Sequence, residues 1–471
     1  MNAQRNNQDA LRSPRVPAPT LESVSSLNRD GSHRFIHTAT ARGFFTRWRL
    51  AFAMALTIVY VALPWIRING NPAIFLDVAN RQFHYFGLTF LGQDLWMIFF
   101  LISGLGFCLF YVTALLGRVW CGWACPQTVF LDFARRIERW FEGDAAARRR
   151  LDSEAATFQK IVRRGGKHLV FALFALLLAH VLLSYFISLP ALYSMMRQSP
   201  GSNWGAFVFV FLCAGALWFD LAWFREQFCI ILCPYGRLQS ALIDADSLVV
   251  GYDAQRGEPR AKKGTAGAGD CVDCHRCVQV CPTGIDIRQG LQMECIGCTA
   301  CIDACDTVMA KISRPAGLIR YDSQRGFAGK PTRWLRPRIL LYTGLMLLGA
   351  CALTAATSTL KSATVSLTRI TGIPYVVENG VVRNQFLLRL LNKRNAPVTF
   401  YLEITGAPGN LHWTGTEGGI RVGPLGEEIR PVVVTLPRAN MTADLPLSFR
   451  IVSDNGTTLE KTVTFLGPVI P

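Results

Sequence analysis

Residues 271–305 read CVDCHRCVQVCPTGIDIRQGLQMECIGCTACIDAC and hold eight of the chain's fifteen cysteines. The eight fall in two runs, Cys271, Cys274, Cys277, Cys281 and then Cys295, Cys298, Cys301, Cys305. Each run is C-x2-C-x2-C-x3-C, and Pro282 follows the first. Three thiolates at i, i+3 and i+6 on a tight loop can wrap three corners of an iron–sulfur cubane. The fourth opens the next helix, points away and ligates the other cluster. The spacing therefore predicts two crossed [4Fe–4S] clusters. One takes Cys271, Cys274, Cys277 and Cys305; the other takes Cys295, Cys298, Cys301 and Cys281. Asp306 stands where a second proline is usual. It is expected to loosen the turn without removing a ligand.

Two other metal readings are weaker. Zinc sites use pairs of cysteines rather than two sets of four. Cys271-Val-Asp-Cys274-His275 matches the C-x-x-C-H haem signature. Its cysteines are already claimed by the longer pattern, and the topology below puts them on the cytoplasmic side.

The chain has 471 residues, 51% hydrophobic, so it reads as a membrane protein with more than one domain. Its net charge of +17 does not call for nucleic acid, because the basic residues cluster beside apolar spans. Residues 1–47 are polar and proline-containing, and read as a disordered cytoplasmic arm. Apolar stretches of spanning length run roughly 50–66, 95–116, 169–189, 204–224 and 339–357. Segment 66–93 carries only Arg67 and Arg81, and 190–203 only Arg197, whereas 117–167 carries eleven Lys or Arg. The sparse loops face out and the basic ones in. This places the amino terminus and the cysteine module inside and the carboxyl terminus outside. The aromatic-rich segment 66–93 is expected to lie along the outer interface.

A second cysteine pattern follows two spans. Trp120-Cys121-Gly-Trp-Ala-Cys125-Pro126 comes after span two, and Phe228-Cys229-Ile-Ile-Leu-Cys233-Pro234 after span four. The duplication reads as an internal repeat, an outward-to-inward helix ending in a dithiol. The i, i+4 spacing predicts both sulfurs of a pair on one helix face. The four thiols have two readings: a metal or redox site at the membrane edge, or inert Cys-Pro corners. Cys108, Cys213 and Cys351 lie inside spans and read as packing residues. His180 and Asp220 are ionisable groups within spans and so candidates for function, Asp220 equally for a salt bridge. His84, Met195 and Met196 are outer-side residues that copper could touch.

Residues 251–270 read as a glycine-rich linker. Beyond residue 362, six β-patterned runs appear: Ala363–Arg369, Val381–Leu391, Val398–Ile404, Ile429–Leu436, Leu447–Val452 and Thr458–Phe465. Turn signals such as Pro408-Gly409-Asn410 separate them, and the pattern suggests an Ig-like sandwich. The expected domains are the arm at 1–47, four transmembrane helices at 48–250 and an α+β ferredoxin domain of the bacterial two-cluster type at 251–337. A fifth span at 338–358 and an all-β Ig-like domain at 359–471 complete the chain.

This order of parts resembles the cytochrome c oxidase accessory proteins of the CcoG/FixG/RdxA type. The twin motifs at Cys121/Cys125 and Cys229/Cys233 are also similar to those of NapH and NosR proteins, and the terminal sandwich narrows the likeness. The resemblance implies a role in assembling cbb-type haem–copper oxidase. The protein would reduce Cu(II) to Cu(I) for the catalytic subunit or its copper-delivery machinery, with the C-x3-C-P cysteines handling copper. Cu(I) is soft and prefers thiolates. Two alternatives stand beside this one: an electron-transfer subunit passing quinol or ferredoxin electrons to a partner reductase, and a non-catalytic scaffold. A quinone pocket around His180 would favour the former. The electron donor is left open, and so is the oligomeric state, with a homodimer among the readings.

The loop charges give a direct test. A periplasmic reporter fused after Pro471 should be active, and one fused near Gly264 should be silent. The reverse pattern would overturn the topology.

Overall fold

The computed structural model describes residues 35–91, 94–358, 362–370, 372–405, 411–440 and 444–468. Most of the polar arm and the turn expected at 408–410 lie outside the described residues. The chain divides into two compact units. One comprises Met1–Ile66, Ile74–Leu76 and Ile98–Cys351; the other comprises Arg67–Ala73, Asp77–Met97 and Ala352–Pro471.

In the first unit, five helices are long and apolar enough to cross a membrane: Phe44–Ala62, Trp96–Leu116, Phe158–Leu183, Pro200–Phe224 and Pro337–Ser358. Phe99, Ile102, Leu105, Leu177, Phe211 and Leu345 on them are exposed, as suits a surface covered by lipid. The first and third spans begin earlier than hydropathy indicated. The third opens with a polar turn capped by Thr157, whose hydroxyl accepts from the Lys160 amide at 3.3 Å. The first is capped from far away in sequence. Asp303 accepts from the amides of Phe45 and Thr46 at 3.1 and 2.6 Å. A carboxylate there satisfies orphan amides and meets the positive end of the helix dipole. Gly43 makes room for it, since a Cβ at that position would lie 2.4 Å from the Asp303 carboxyl carbon.

The cysteine module is closed by antiparallel strands Val249–Tyr252 and Ile319–Asp322. Val250, Ile287, Ile302, Met309, Leu318 and Ile319 form its core with Cys271 and Cys277. Residues 251–270 fold with it rather than acting as a loose linker. Asp253 caps a short helical turn at Ala254–Gly257, and Arg256 pairs with Asp270. Asp306 sits inside the helix Ala300–Lys311 and accepts from the Gly317 amide at 2.8 Å. It extends a helix and anchors the return loop instead of loosening a turn.

Between the spans and this module lies the helix Pro126–Glu142. It buries Thr128, Leu131, Arg135, Glu138 and Glu142, one face at three- and four-residue spacing. Its buried charges are paired. Arg135 binds Asp132 and Glu226, Glu138 lies between Arg148 and Arg225, and Glu142 takes Lys167. Arg49 of the first span joins through Asp132. The network ties the segment after span two to the turn after span four.

In the second unit, two sheets make a sandwich. One has the order His412–Thr414, Glu427–Pro437, Val381–Asn392, Ala363–Arg369, with Val376–Glu378 also on Val381–Asn392. The other runs Ile420–Val422, Val398–Thr405, Leu445–Ser453, Thr458–Phe465. All six β-patterned runs are strands, with ends moved by a residue or two. Three short strands escaped the pattern because three residues carry too little alternation to read. Val382, Phe386, Leu388 and Leu390 alternate into the core, and Phe386 meets Phe449 edge-on at 5.5 Å. Part of segment 66–93 also folds here as a hairpin. Phe83 pairs with Phe90 across strands Gln82–Tyr85 and Leu88–Leu91, so strand pairing claims the rings. Lys393 binds Asp94 at 2.6 Å.

Replacing Glu138 by Ala would strand Arg148 and Arg225 without their carboxylate. The expected cost is about 3–5 kcal/mol, read as a lowered thermal midpoint of the detergent-purified chain. The exposed Glu378→Ala should leave that midpoint unmoved. Equal midpoints for both variants would remove the network from any stabilising role.

Candidate functional site: twin thiol cradles beside a twin dithiol

The two cysteine runs build matching loops. In the first, Asp273 and His275 take left-handed backbone angles, with φ of 55° and 53°. In the second, Gly297 and Thr299 do so at the equivalent positions, with φ of 67° and 61°. Such turns aim successive amides inward and make concavities suited to anions. Cys271, Cys274, Cys277 and Cys305 line one hollow. Cys281, Cys295, Cys298 and Cys301 line the other, at whose edge Cys277 also stands. The hollows are of similar size.

These linings fit anionic cubanes. Burial pushes the Cys277 thiol up to about 11, and Cys295 and Cys305 up to about 12. Deprotonating four such thiols in one hollow requires a compensating positive charge, which iron supplies. Among the described residues no three His, Cys, Asp or Glu side chains come close enough to share a single metal ion. Cys274 is exposed, so the first cradle opens toward solvent. Arg288 holds His275 and Asp273.

The twin motifs share one backbone form. Each begins with a single π-helical turn, Trp120–Ala124 or Phe228–Leu232. Each ends on an extended cysteine, Cys125 or Cys233, and the next proline opens a new helix. The Cys125 amide donates to the Trp120 carbonyl at 2.9 Å, and that of Cys233 to Phe228 at 2.8 Å. The two sulfurs of a pair therefore do not share an α-helical face as i, i+4 spacing implied. Proline disfavours the α conformation at the residue before it.

The pairs are neighbours. Burial pushes Cys121 up to about 11 and raises Cys125 and Cys229, and each also feels a thiol of the opposite pair. Gln239 donates to the Cys121 sulfur at 3.0 Å. The four thiols thus approach one another without closing into a single cage.

The first motif touches the second cradle. A Cβ on Gly122 would lie 2.3 Å from the Gly297 carbonyl oxygen, and one on Gly297 would lie 2.9 Å from the Arg118 carbonyl oxygen. The Trp123 indole donates to the Tyr321 hydroxyl at 3.2 Å, which reaches the Gly297 carbonyl at 3.4 Å. The Arg118 guanidinium favours the thiolate form of both Cys121 and Cys295, against the larger effect of burial.

Residues 224–324 match a family model described as a 4Fe-4S dicluster domain, and 84–143 match a 4Fe-4S binding domain. Residues 353–468 match the IG-like fold at the C-terminus of FixG. The nitrogen fixation protein FixG of Rhizobium meliloti is 32% identical over 510 aligned residues, covering 98% of this chain and 95% of that one. The chain belongs to the FixG/RdxA family. Protein RdxA of Cereibacter sphaeroides is 37% identical over 77% of this chain and 80% of its own. A crystal structure of a FixG-related protein from Vibrio parahaemolyticus aligns with 23% of this chain and 97% of its own, at 22% identity and a TM-score of 0.21. Like other members of the FixG/RdxA family, the chain is a membrane-embedded iron–sulfur electron-transfer protein.

Other candidates from the sequence settle into structural places. Asp220 accepts two bonds from Gln127, at 2.9 and 2.8 Å, and so anchors the helix behind Cys125. His180 is bonded to the Leu176 carbonyl of its own helix. His84 is buried against Asn71 and Thr89, and Met196 is exposed. Cys108 and Cys351 are exposed on their spans, and Cys213 packs between spans three and four. Gly122, Trp123, Gln239 and Tyr321 escaped the sequence reading. The glycine inside the first motif was their one signal.

Gly122→Ala should push the Gly297 loop off its seat. Iron is expected to fall from about eight to about four per chain, with the exposed-helix control Gly104→Ala unaffected. Full iron loading of the Gly122 variant would refute this dependence.

Proposed function

We propose that the chain is a membrane cupric reductase serving assembly of a cbb-type haem–copper oxidase. In this reading Cys271, Cys274, Cys277 and Cys305 hold one [4Fe–4S] cluster, and Cys281, Cys295, Cys298 and Cys301 hold the other. When bound, each cluster supplies one electron at a time. Cu(II) is the substrate, and one electron converts it to Cu(I).

The observation that carries this reading is the seating of Gly122 on Gly297. It sets the Cys121/Cys125 pair against the loop that holds Cys295 and Cys298, with no side chain between the two backbones. Cu(I) is a soft ion that two thiolates satisfy. Cys121/Cys125 and Cys229/Cys233 offer two such pairs, each within electrostatic reach of the other. Burial favours the neutral thiols, so a bound cation is what draws out the thiolates. Arg118 assists at Cys121, and Gln239 steadies its sulfur. The sandwich is the part that would meet a partner outside.

Removing Cys121 and Cys125 together should leave about eight iron per chain, since neither lines a cradle. The variant should not bind Cu(I) stoichiometrically, and after reduction by dithionite it should stay reduced on addition of Cu(II). A cradle variant such as Cys274→Ser should still bind copper while losing reduction. If the dithiol variant reduces copper as well as the parent does, the copper site is lost. The electron-transfer subunit then becomes the better account.

A further inference from the structure

We infer that a quinol binds in a cavity at the ends of the third and fourth spans and is the two-electron donor to this protein. This rests on the reading above only in taking one-electron centres as the acceptors. The cavity measures about 620 Å³, within the range of small-molecule sites. Trp218, Phe219 and Trp223 at the end of span four form one wall, and His168 near the start of span three forms another. Glu138 and Glu142 close it from the helix Pro126–Glu142.

Three observations select the ligand. The first is charge. Glu138 is paired with Arg225, Glu142 with Lys167 and Asp152 with Arg164, so three carboxylates cancel three cations in the lining. A neutral ring suits such a wall, whereas the phosphates of a nicotinamide nucleotide would find no uncompensated cation. The second is shape and depth. The rings of Phe219 and Trp223 lie 5.3 Å apart at a tilt of 31°, and His168 meets Trp218 edge-on at 5.9 Å. Flat aromatic surfaces at the border of apolar spans match a planar headgroup carried on a lipid-soluble tail. The third is position. Glu138 and Glu142 face this cavity, while Asp132, Arg135 and Arg139 of the same helix line the cleft that contains Cys298. One helix, about 10–12 Å across, separates the headgroup from the second thiol cradle.

The chemistry balances. Two quinol O–H bonds break and two ring carbonyls form, releasing two electrons and two protons. The cysteines of the two cradles would hold two iron–sulfur centres, which would accept one electron each. His168, whose Nδ1 lacks a hydrogen-bond partner, takes one proton, and Glu142 takes the other, both passing on to water at the open rim. His168 lies about 18 Å along the third span from His180, around which the sequence had suggested a pocket.

The test uses the full chain in nanodiscs. A short-chain benzoquinone should quench tryptophan fluorescence saturably in the oxidised, iron-loaded protein, and an azido-quinone should label residues of spans three and four. Both signals should weaken about tenfold in Trp218→Ala, the scale of one lost aromatic contact, and recover in Trp218→Phe. In iron-loaded protein the corresponding quinol should bleach the clusters, and His168→Ala should slow this while bleaching by dithionite stays unchanged. Quenching and labelling equal in parent and Trp218→Ala would overturn the proposal, as would a tightly held phospholipid that no quinone displaces. Clusters reducible by dithionite but not by quinol, with copper reduction intact, would sink the quinol site alone. Quinol bleaching without electron transfer to Cu(II) would sink the copper reading alone.

Discussion

Eight thiols gathered in one small module, all but Cys274 at least partly buried, set the main electrostatic constraint on this chain. Burial disfavours the thiolate at Cys277, Cys295 and Cys305, and neighbouring thiols disfavour it further. Iron changes the sign of that balance, and folding of the loops is thereby tied to metal. The crossed arrangement follows from the same need. Cys281 and Cys305 each leave their own loop for the opposite hollow, so neither loop completes a cradle alone.

The module has to be held rigidly against the membrane helices if electrons are to leave it. Three polar or backbone contacts do this, beside the Phe45 ring of the first span packed on Tyr321. Asp303, between two cysteines of the second run, caps the first span. Arg49, one turn into that span, reaches the Cys298 carbonyl and Asp132. Gly122 and Gly297 meet backbone to backbone. Where a bilayer removes the hydrophobic drive between helices, packing of small residues and polar bonds takes over. The ion pairs around Glu138 extend the frame to the turn before Cys229, and the quinol cavity inferred above uses that frame as its wall.

The two halves of the molecule differ in how far their sequence declares them. The sandwich strands alternate cleanly, with Phe386, Leu388 and Leu390 inward, and a two-residue period needs no partner to be recognised. The cysteine spacing was equally plain, because ligand geometry constrains residues close together in the chain. The twin C-x3-C-P motif was legible as a repeat but not in its shape. A π-turn closed by a pre-proline cysteine is a backbone choice that the spacing of two sulfurs does not reveal. The hairpin of segment 66–93 was missed for a related reason, since aromatic content reads the same on an interface and on a strand.

Sequence alone determined the parts: two four-cysteine runs, two Cys-Pro motifs, five apolar spans and a β-rich terminal domain. All depend on local spacing or local hydropathy, which a single chain displays directly. Only the tertiary structure decided which parts touch. Gly122 and Gly297 are 175 residues apart, and Asp303 lies 257 residues from the Thr46 it caps. Glycines and acidic residues carry no period and no motif, so nothing in their neighbourhoods announces a partner. Their roles arise from close approach and from charge burial, and those exist only once the chain has folded.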